Sequence, residues 1–282
     1  MTPRGAWSDF WASASSDACL PNAPPPVRTA LATAWADFAT MLPSAGRVLD
    51  IASGNGAVLR ALREARRDLV LEGIDYADVG PAARGLGIRG GIDADALPFA
   101  EASFDAVTSQ FGIEYCPAGA VAEASRVLRV GGYLLLIIHH AASPAIAHNR
   151  ARHAAMAALD EAGLFALAQR VAAGQPEDPR TAEAIALSRR RHAAQSISDE
   201  LPMAIGQVLQ RGGGIAGVAT IEARVRAELA RLAAMIAAAR NDDGIAVIAD
   251  GLGAAGCVVH AAPLRTAAGE IVAWQVSGTR DR

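Results

Sequence analysis

The stretch Val48-Leu49-Asp50-Ile51-Ala52-Ser53-Gly54-Asn55-Gly56 limits what this chain can fold into more than any other. A short apolar strand, Arg47–Ala52, carries a carboxylate near its end and runs into a glycine-bearing turn. The turn opens a helix that extends to about Arg67. Glycines in such a turn let a ligand approach the backbone closely, and the first N–H groups of the helix offer donors to an anion. A dinucleotide fingerprint needs a third glycine three residues on. Leu59 stands there, which disfavours close approach of a pyrophosphate and with it a nicotinamide-dependent oxidoreductase.

The same alternation continues. Further strands are expected at Leu69–Ile74, Ile88–Ile92, Phe104–Ser109 and Gly132–Ile138, with a helix over Pro117–Leu128. A last helix runs from about Asp243 to Ala255. Strands Cys257–Ala262 and Glu270–Val276 close the pattern as an antiparallel hairpin around Thr266–Gly269. Strands alternating with helices imply a parallel sheet covered on both faces. Residues 145–240 break the rhythm. They read as helices near 147–173, 177–195, 199–210 and 220–240, with Gly212-Gly213-Gly214 as a flexible joint, and are too long for an ordinary connection.

Composition narrows the functional classes. All 26 basic residues are Arg, which excludes any mechanism that needs a lysine amine. A net charge of −3 argues against a dedicated nucleic-acid binder. The longest strongly apolar run, Tyr133–Ile138, is far short of the ~20 residues that span a bilayer. The first residues lack a basic region followed by a long apolar stretch, so no secretory signal is expected. Cys19, Cys116 and Cys257 form no Cys-x-x-Cys pair, which fits a reducing cytoplasm and no metal site.

Several acidic residues fall at strand ends. Asp75 follows Gly73-Ile74, and a carboxylate there can accept hydrogen bonds from both hydroxyls of a ribose. Asp93 ends the third strand, where a carboxylate can accept from an exocyclic adenine amine. All these ends lie on the carboxyl edge of the sheet, where open α/β folds bind ligands.

With these pieces in place the sequence resembles the class I S-adenosylmethionine (SAM)-dependent methyltransferases. The matching segments, in the family's order, are V-L-D-I-A-S-G-N-G (48–56), G-I-D-Y (73–76), D-A-D-A-L-P-F (93–99), S-F-D-A-V-T-S-Q-F-G (103–112) and R-V-L-R-V-G-G (126–132). The L-P-F…S-F-D…F-G series is similar to the branch that contains ubiquinone/menaquinone-biosynthesis enzymes. The resemblance implies a Rossmann-like, mostly parallel seven-stranded α/β sheet with helices on both faces and an antiparallel last strand. An all-helical cap would be inserted between strands five and six. It divides the chain into a helical lid (1–45), a cofactor-binding core (46–144 and 241–282) and the cap (145–240). Carried over by position, Asp50, Ala52, Ser53, Gly54 and Gly56 would meet the methionine end of SAM. Asp75 would hold the ribose and Tyr76 would flank the adenine. Asp93 and Ala94 would read its edge, and Gln110 would line the pocket. Ala52 replaces the family's first loop glycine. The span from Asp75 to Asp93 is short, so its helix is expected to be truncated.

The implied chemistry is methyl transfer to a small-molecule acceptor, with S-adenosylhomocysteine (SAH) as product. Positioning of donor and acceptor can supply most of the rate, and a base helps a hydroxyl acceptor. Candidates are His139 and His140 after strand five, which point to opposite sides, and Glu114 and Tyr115 after strand four. Trp7, Phe10 and Trp11 share one helical face and can form the lid. The insertion holds 12 Arg against 9 acidic residues, which hints at a carboxylate-bearing acceptor for O- or N-methylation. A homodimer surface on the insertion competes with the cap. Two rival functions remain: a catalytically silent SAM-binding protein, and transfer of another SAM-derived group on the same fold.

Overall fold

In a computed structural model the described residues are 23–282. Trp7, Phe10, Trp11 and Cys19 lie outside them. The chain divides into two compact units, one holding residues up to Pro144 together with Ala238–Arg282, the other Ala145–Ala237.

The first unit is a seven-stranded sheet in the order β3-β2-β1-β4-β5-β7-β6. The strands are β1 (Arg47–Ile51), β2 (Val70–Ile74), β3 (Ile88–Arg89), β4 (Phe104–Gln110), β5 (Leu128–Ile138), β6 (Cys257–Arg265) and β7 (Ile271–Arg280). Strands β1 to β5 pair in parallel, and β7 runs antiparallel between β5 and β6. Alternation along the strands splits the interior into two layers. Leu135 and Ile137 of β5 pack with α1 (Pro25–Met41) and α2 (Ala57–Ala65) through Trp35, Phe38, Leu59 and Leu62. Leu134, Leu136 and Ile138 face the other way, onto α4 (Gly119–Val127) and α10 (Asp242–Ala254). This is the α/β architecture expected from the alternation.

Two local differences, and the expected truncated helix, follow from backbone chemistry. The third strand has two residues rather than five, because Ile92 turns back and its N–H donates to Asp75 O at 3.0 Å. Asp93 therefore sits in a loop beyond the strand. The helix before that strand, α3 (Pro81–Gly85), has a single turn: proline starts it, and Gly87, at φ +91, follows its end.

The loop that carries Asp93 is clamped from α4. Glu123 accepts from Leu97 N–H at 2.8 Å. Arg126 pairs with Glu123 and donates to the carbonyls of Phe99 (2.9 Å) and Leu97 (3.2 Å).

The second unit holds α5 (Pro144–Glu161), α6 (Leu164–Ala172), α7 (Pro179–Arg191), α8 (Ile197–Gln210) and most of α9 (Gly214–Ala238). Met156, Leu159, Phe165, Leu201, Ile205 and Leu232 are among its core. The single helix expected over 147–173 is broken at Gly163, whose φ of +89 no helical residue adopts. The expected joint at 212–214 is a tight reversal instead: Gly213 N–H donates to Val208 O at 2.9 Å, and a Cβ on Gly213 would stand 2.7 Å from the Val208 side chain. Among the described residues no helix is long and apolar enough to cross a membrane.

Gly73 in β2 lets the β1 turn pack down on the sheet. A Cβ there would lie 2.5 Å from Ser53 Oγ and 2.9 Å from Ile88 Cγ1. We expect Gly73→Ala to destabilise the fold by ~1–3 kcal/mol, since overpacking a closed site forces neighbours off their minima. Urea unfolding followed by circular dichroism measures it, and an unchanged midpoint would refute this account of the turn.

Candidate cofactor cleft

The carboxyl ends of β1 and β2 are joined by one side chain. Asp75 follows β2 and is 5% exposed. Its Oδ2 accepts from Gly54 N–H at 2.7 Å and its Oδ1 from Ala77 N–H at 2.8 Å. Burial pushes its pKa up while the two N–H donors pull it back. Each oxygen keeps a lone pair, so the carboxylate can still accept from two hydroxyls. The Gly54 turn is fixed further by Ser53 N–H on Ile74 O at 2.9 Å.

Beside Asp75 lies a cleft of about 270 Å³. Ile74, Ile92, Ala94, Cys116 and Pro117 give it apolar walls. Asp75, Asp93, Tyr76 and Tyr115 are its polar members, and Ala52, Phe111 and Gly112 line it too. The loops after β1 and β4 touch here: a Cβ on Gly112 would stand 2.6 Å from that of Ala52. Both Ala52 (φ +56) and Phe111 (φ +54) hold left-handed backbone, which glycine favours.

Five of the expected cofactor residues therefore meet at one cleft: Ala52, Asp75, Tyr76, Asp93 and Ala94. The others stand elsewhere. Asp50 lies beneath the turn, 1% exposed, with Oδ1 accepting from Thr108 Oγ1 at 2.9 Å. Burial pushes its pKa up to about 7 against the Thr108 and Ser53 hydroxyls. Ser53 Oγ donates to Asp50 O at 2.8 Å, Gly54 serves Asp75, and Gly56 caps α2 at φ +84. These residues build the turn from behind. Gln110 is drawn to α1 and off the cleft wall, because Trp35 Nε1 donates to its Oε1 at 2.6 Å.

Of the acceptor-side candidates, Tyr115 is on the cleft wall. His139 and His140 point opposite ways. His139 stacks on Phe111 (4.3 Å between centroids, 10°) with Tyr115 edge-on at 6.0 Å. His140 stacks on Trp274 at 4.4 Å, and its Nδ1 accepts from Ala142 N–H at 3.0 Å. Burial pushes its pKa down, opposed by the Asp242 carboxylate and helped by Arg265.

Glu114 is 5% exposed. Its Oε1 accepts from His139 N–H at 2.9 Å, and among the described residues its buried Oε2 has no hydrogen-bond partner. Burial pushes its pKa up to about 7. Arg240 donates to Glu114 O at 2.9 Å, its N–H donates to His139 O at 2.8 Å, and its own carbonyl accepts from Trp274 Nε1. Sequence reasoning missed Arg240 and Trp35, which lie far along the chain from what they hold, and Phe111, whose backbone no pattern reveals.

The Glu114 carboxyl makes stability depend on pH. The folded protein keeps its proton to about pH 7, whereas an unfolded glutamate releases it near 4.5. Stability from this group is fully present below pH 4.5 and falls as pH rises through 7. Glu114→Gln keeps an acceptor for His139 N–H and removes that fall, on the order of 3 kcal/mol between pH 4.5 and pH 8. Guanidinium unfolding of both proteins across that range measures the difference. Parallel stability curves would show that Glu114 ionises normally.

Comparison with known proteins agrees with this geometry. Residues 49–136 match the family described as a methyltransferase domain. The demethylmenaquinone methyltransferase of Renibacterium salmoninarum is 40% identical over 97 residues, 32% of this chain and 40% of that protein. The ubiquinone/menaquinone biosynthesis C-methyltransferase UbiE of Methylobacterium nodulans is 38% identical over 113 residues, 36% of this chain and 45% of that protein. The matches thus span less than half the length of these curated relatives. A chain in the complex between the Haloferax volcanii Trm112 methyltransferase activator and a methyltransferase shares the fold. It has 13% identity and a TM-score of 0.50 over 98% of both chains. The buried Asp75 carboxylate, the Asp93 loop and the apolar walls of the cleft have the chemistry to hold a nucleoside. Over residues 49–136 the sheet-bearing unit is thus similar to the class I, Rossmann-like SAM-dependent methyltransferases, and within them to the ubiquinone/menaquinone-biosynthesis branch.

Proposed function

We propose that this protein transfers a methyl group from SAM to a small-molecule acceptor. One observation carries the reading: the Asp75 carboxylate is held by two backbone N–H groups on the wall of a largely apolar cleft that Asp93 also lines. In it Asp75 accepts from the two ribose hydroxyls, Asp93 accepts from the adenine amine, and Ala94 N–H donates to a ring nitrogen. Tyr76 flanks the base. Bound there, SAM supplies an electrophilic methyl on a sulfonium. The chain's part is to hold the acceptor in line and exclude water, which suffices for large rate gains.

The acceptor side in this reading is the aromatic shelf of Phe111, Tyr115 and His139, with Glu114 behind it. The acceptor carries a carboxylate and is methylated on oxygen or nitrogen. The basic balance of residues 145–240, 12 Arg against 9 acidic residues, supports this. A second reading, methylation of a ring carbon in a quinone-like acceptor, is favoured by the printed activities of the curated relatives. A turnover screen against benzoic acids, catechols and hydroxynaphthoates separates the two.

The donor half is tested first. Isothermal titration with SAH is expected to show one saturable site. Asp75→Ala is expected to weaken it about ten- to a hundredfold, the worth of a charge-assisted hydrogen-bond pair. A well-folded wild-type protein that binds no SAH overturns the reading. Binding without turnover of any acceptor favours a silent SAM-binding protein instead.

A further inference from the structure

The chain leaves the sheet-bearing unit after β5 and returns to it before α10, and the two crossings are tied together inside that unit. Arg240, on the returning segment, does most of the tying. Its N–H donates to His139 O at 2.8 Å, and its carbonyl accepts from Ala141 N–H at 2.8 Å. These bonds make a single parallel bridge between Arg240 and His140. Trp274 of β7 fastens the bridge to the sheet. Its Nε1 donates to the same Arg240 carbonyl at 2.9 Å, and its ring stacks on His140.

The side chain of Arg240 reaches toward the cleft. Its guanidinium donates to Glu114 O at 2.9 Å, in the 3-10 turn Ile113–Tyr115. Glu114 in turn accepts from His139 N–H through its carboxyl. His139 is therefore gripped at its N–H by Glu114 and at its carbonyl by Arg240. Its ring stacks on Phe111, and Phe111 and Tyr115 line the cofactor cleft. A run of contacts thus joins the cleft wall to the place where both crossings are bound, and every member of it lies within one unit. Such a run carries coupling only if a ligand at one end changes how often the other end opens.

We propose that Arg240 is a positioning residue that couples the cofactor cleft to the bridge at the roots of the helical unit. A ligand on the Phe111–Tyr115 wall keeps the bridge closed, and by linkage a closed bridge strengthens the ligand. The ligand is the nucleoside of the donor reading above, on which the proposal rests. Donor binding thereby firms both chain crossings into residues 145–237.

Amide hydrogen exchange of the full chain, with and without SAH, reads the bridge at the N–H groups of Ala141 and Arg240. In the wild type, saturating SAH is expected to slow both by at least about fivefold, the low end of ordinary coupling between sites. Arg240→Met keeps the apolar stem and the backbone bridge but removes the guanidinium. In it SAH is expected to slow the two amides less than about twofold and to bind about three- to tenfold more weakly. Trp274→Phe removes the indole donor and keeps the link to the cleft. Its bridge amides should exchange faster in both states, yet SAH should still slow them about fivefold. A merely structural role for Arg240 would speed exchange in both variants and leave the SAH response intact in each. A wild type that binds no SAH by calorimetry sinks the donor reading, and the inference with it. If SAH binds and the two wild-type amides do not respond, or respond equally in Arg240→Met, the inference alone is overturned. The wild-type comparison decides even where a variant fails to fold.

Discussion

The carboxylate of Asp75 bridges two turns that nothing else joins so directly, the one after β1 at Gly54 and the one after β2 at Ala77. A buried carboxylate is costly unless its oxygens are met by donors. Here the donors are backbone N–H groups that the turns would otherwise leave unpaired, so each side satisfies the other. Gly73, two residues earlier, lets Ser53 close against β2. The cleft is thereby built before any ligand arrives, which lowers the ordering cost of binding.

The electrostatics follow from that placement. Asp50, Asp75, Asp93 and Glu114 gather around the strand ends, and the thiol of Cys116 registers their field. Burial first, then Glu114, Asp75, Asp93 and Asp95, push it up to about 12. Cys116 is therefore a neutral wall residue and no nucleophile. A crowd of carboxyls around a water-poor slot favours a cationic guest over a neutral one, and the sulfonium of SAM is such a guest. The net charge of −3 does not produce this field; position does. Asp50 and Glu114, with pKa values near 7, each hold a proton part of the time and so soften the repulsion within the cluster.

The sheet was legible because its signals are periodic and local: alternating apolar runs, a glycine turn, and carboxylates at strand ends. Asp75 was legible for the same reason, since a strand end on a parallel sheet fixes where its next residue goes, whereas Asp93 reaches the cleft from a loop beyond the shortened β3. The clamp from Arg126 and Glu123 onto Leu97 and Phe99 was only half visible. The motif R-V-L-R-V-G-G stood out, but not what its first arginine holds. Trp35 with Gln110 and Arg240 with Glu114 were invisible, being pairs 75 and 126 residues apart with no shared pattern. Asp50 was legible in position but not in its partner: side chains alternate along β1, and its carboxylate accepts from Thr108 across the sheet.

Ala52 and Phe111 show how the fold holds strain where it is useful. A left-handed non-glycine residue costs roughly 1–2 kcal/mol, and this site has two of them in adjoining loops. Neither would persist alone. Ala52 is held by the flanking bonds of Ser53 N–H to Ile74 O and Gly54 N–H to Asp75, and Phe111 by its own N–H on Ile137 O at 2.7 Å and by the ring of His139. Gly112 is what lets the two loops meet, because any side chain there would strike Ala52. The gain is geometric. Turning sharply at Phe111 sets its ring on the cleft wall and against His139, while Gln110, one residue earlier, is held on Trp35. A single strand end in this way gives the cleft a fixed apolar shelf and ties that shelf to α1 through one hydrogen bond.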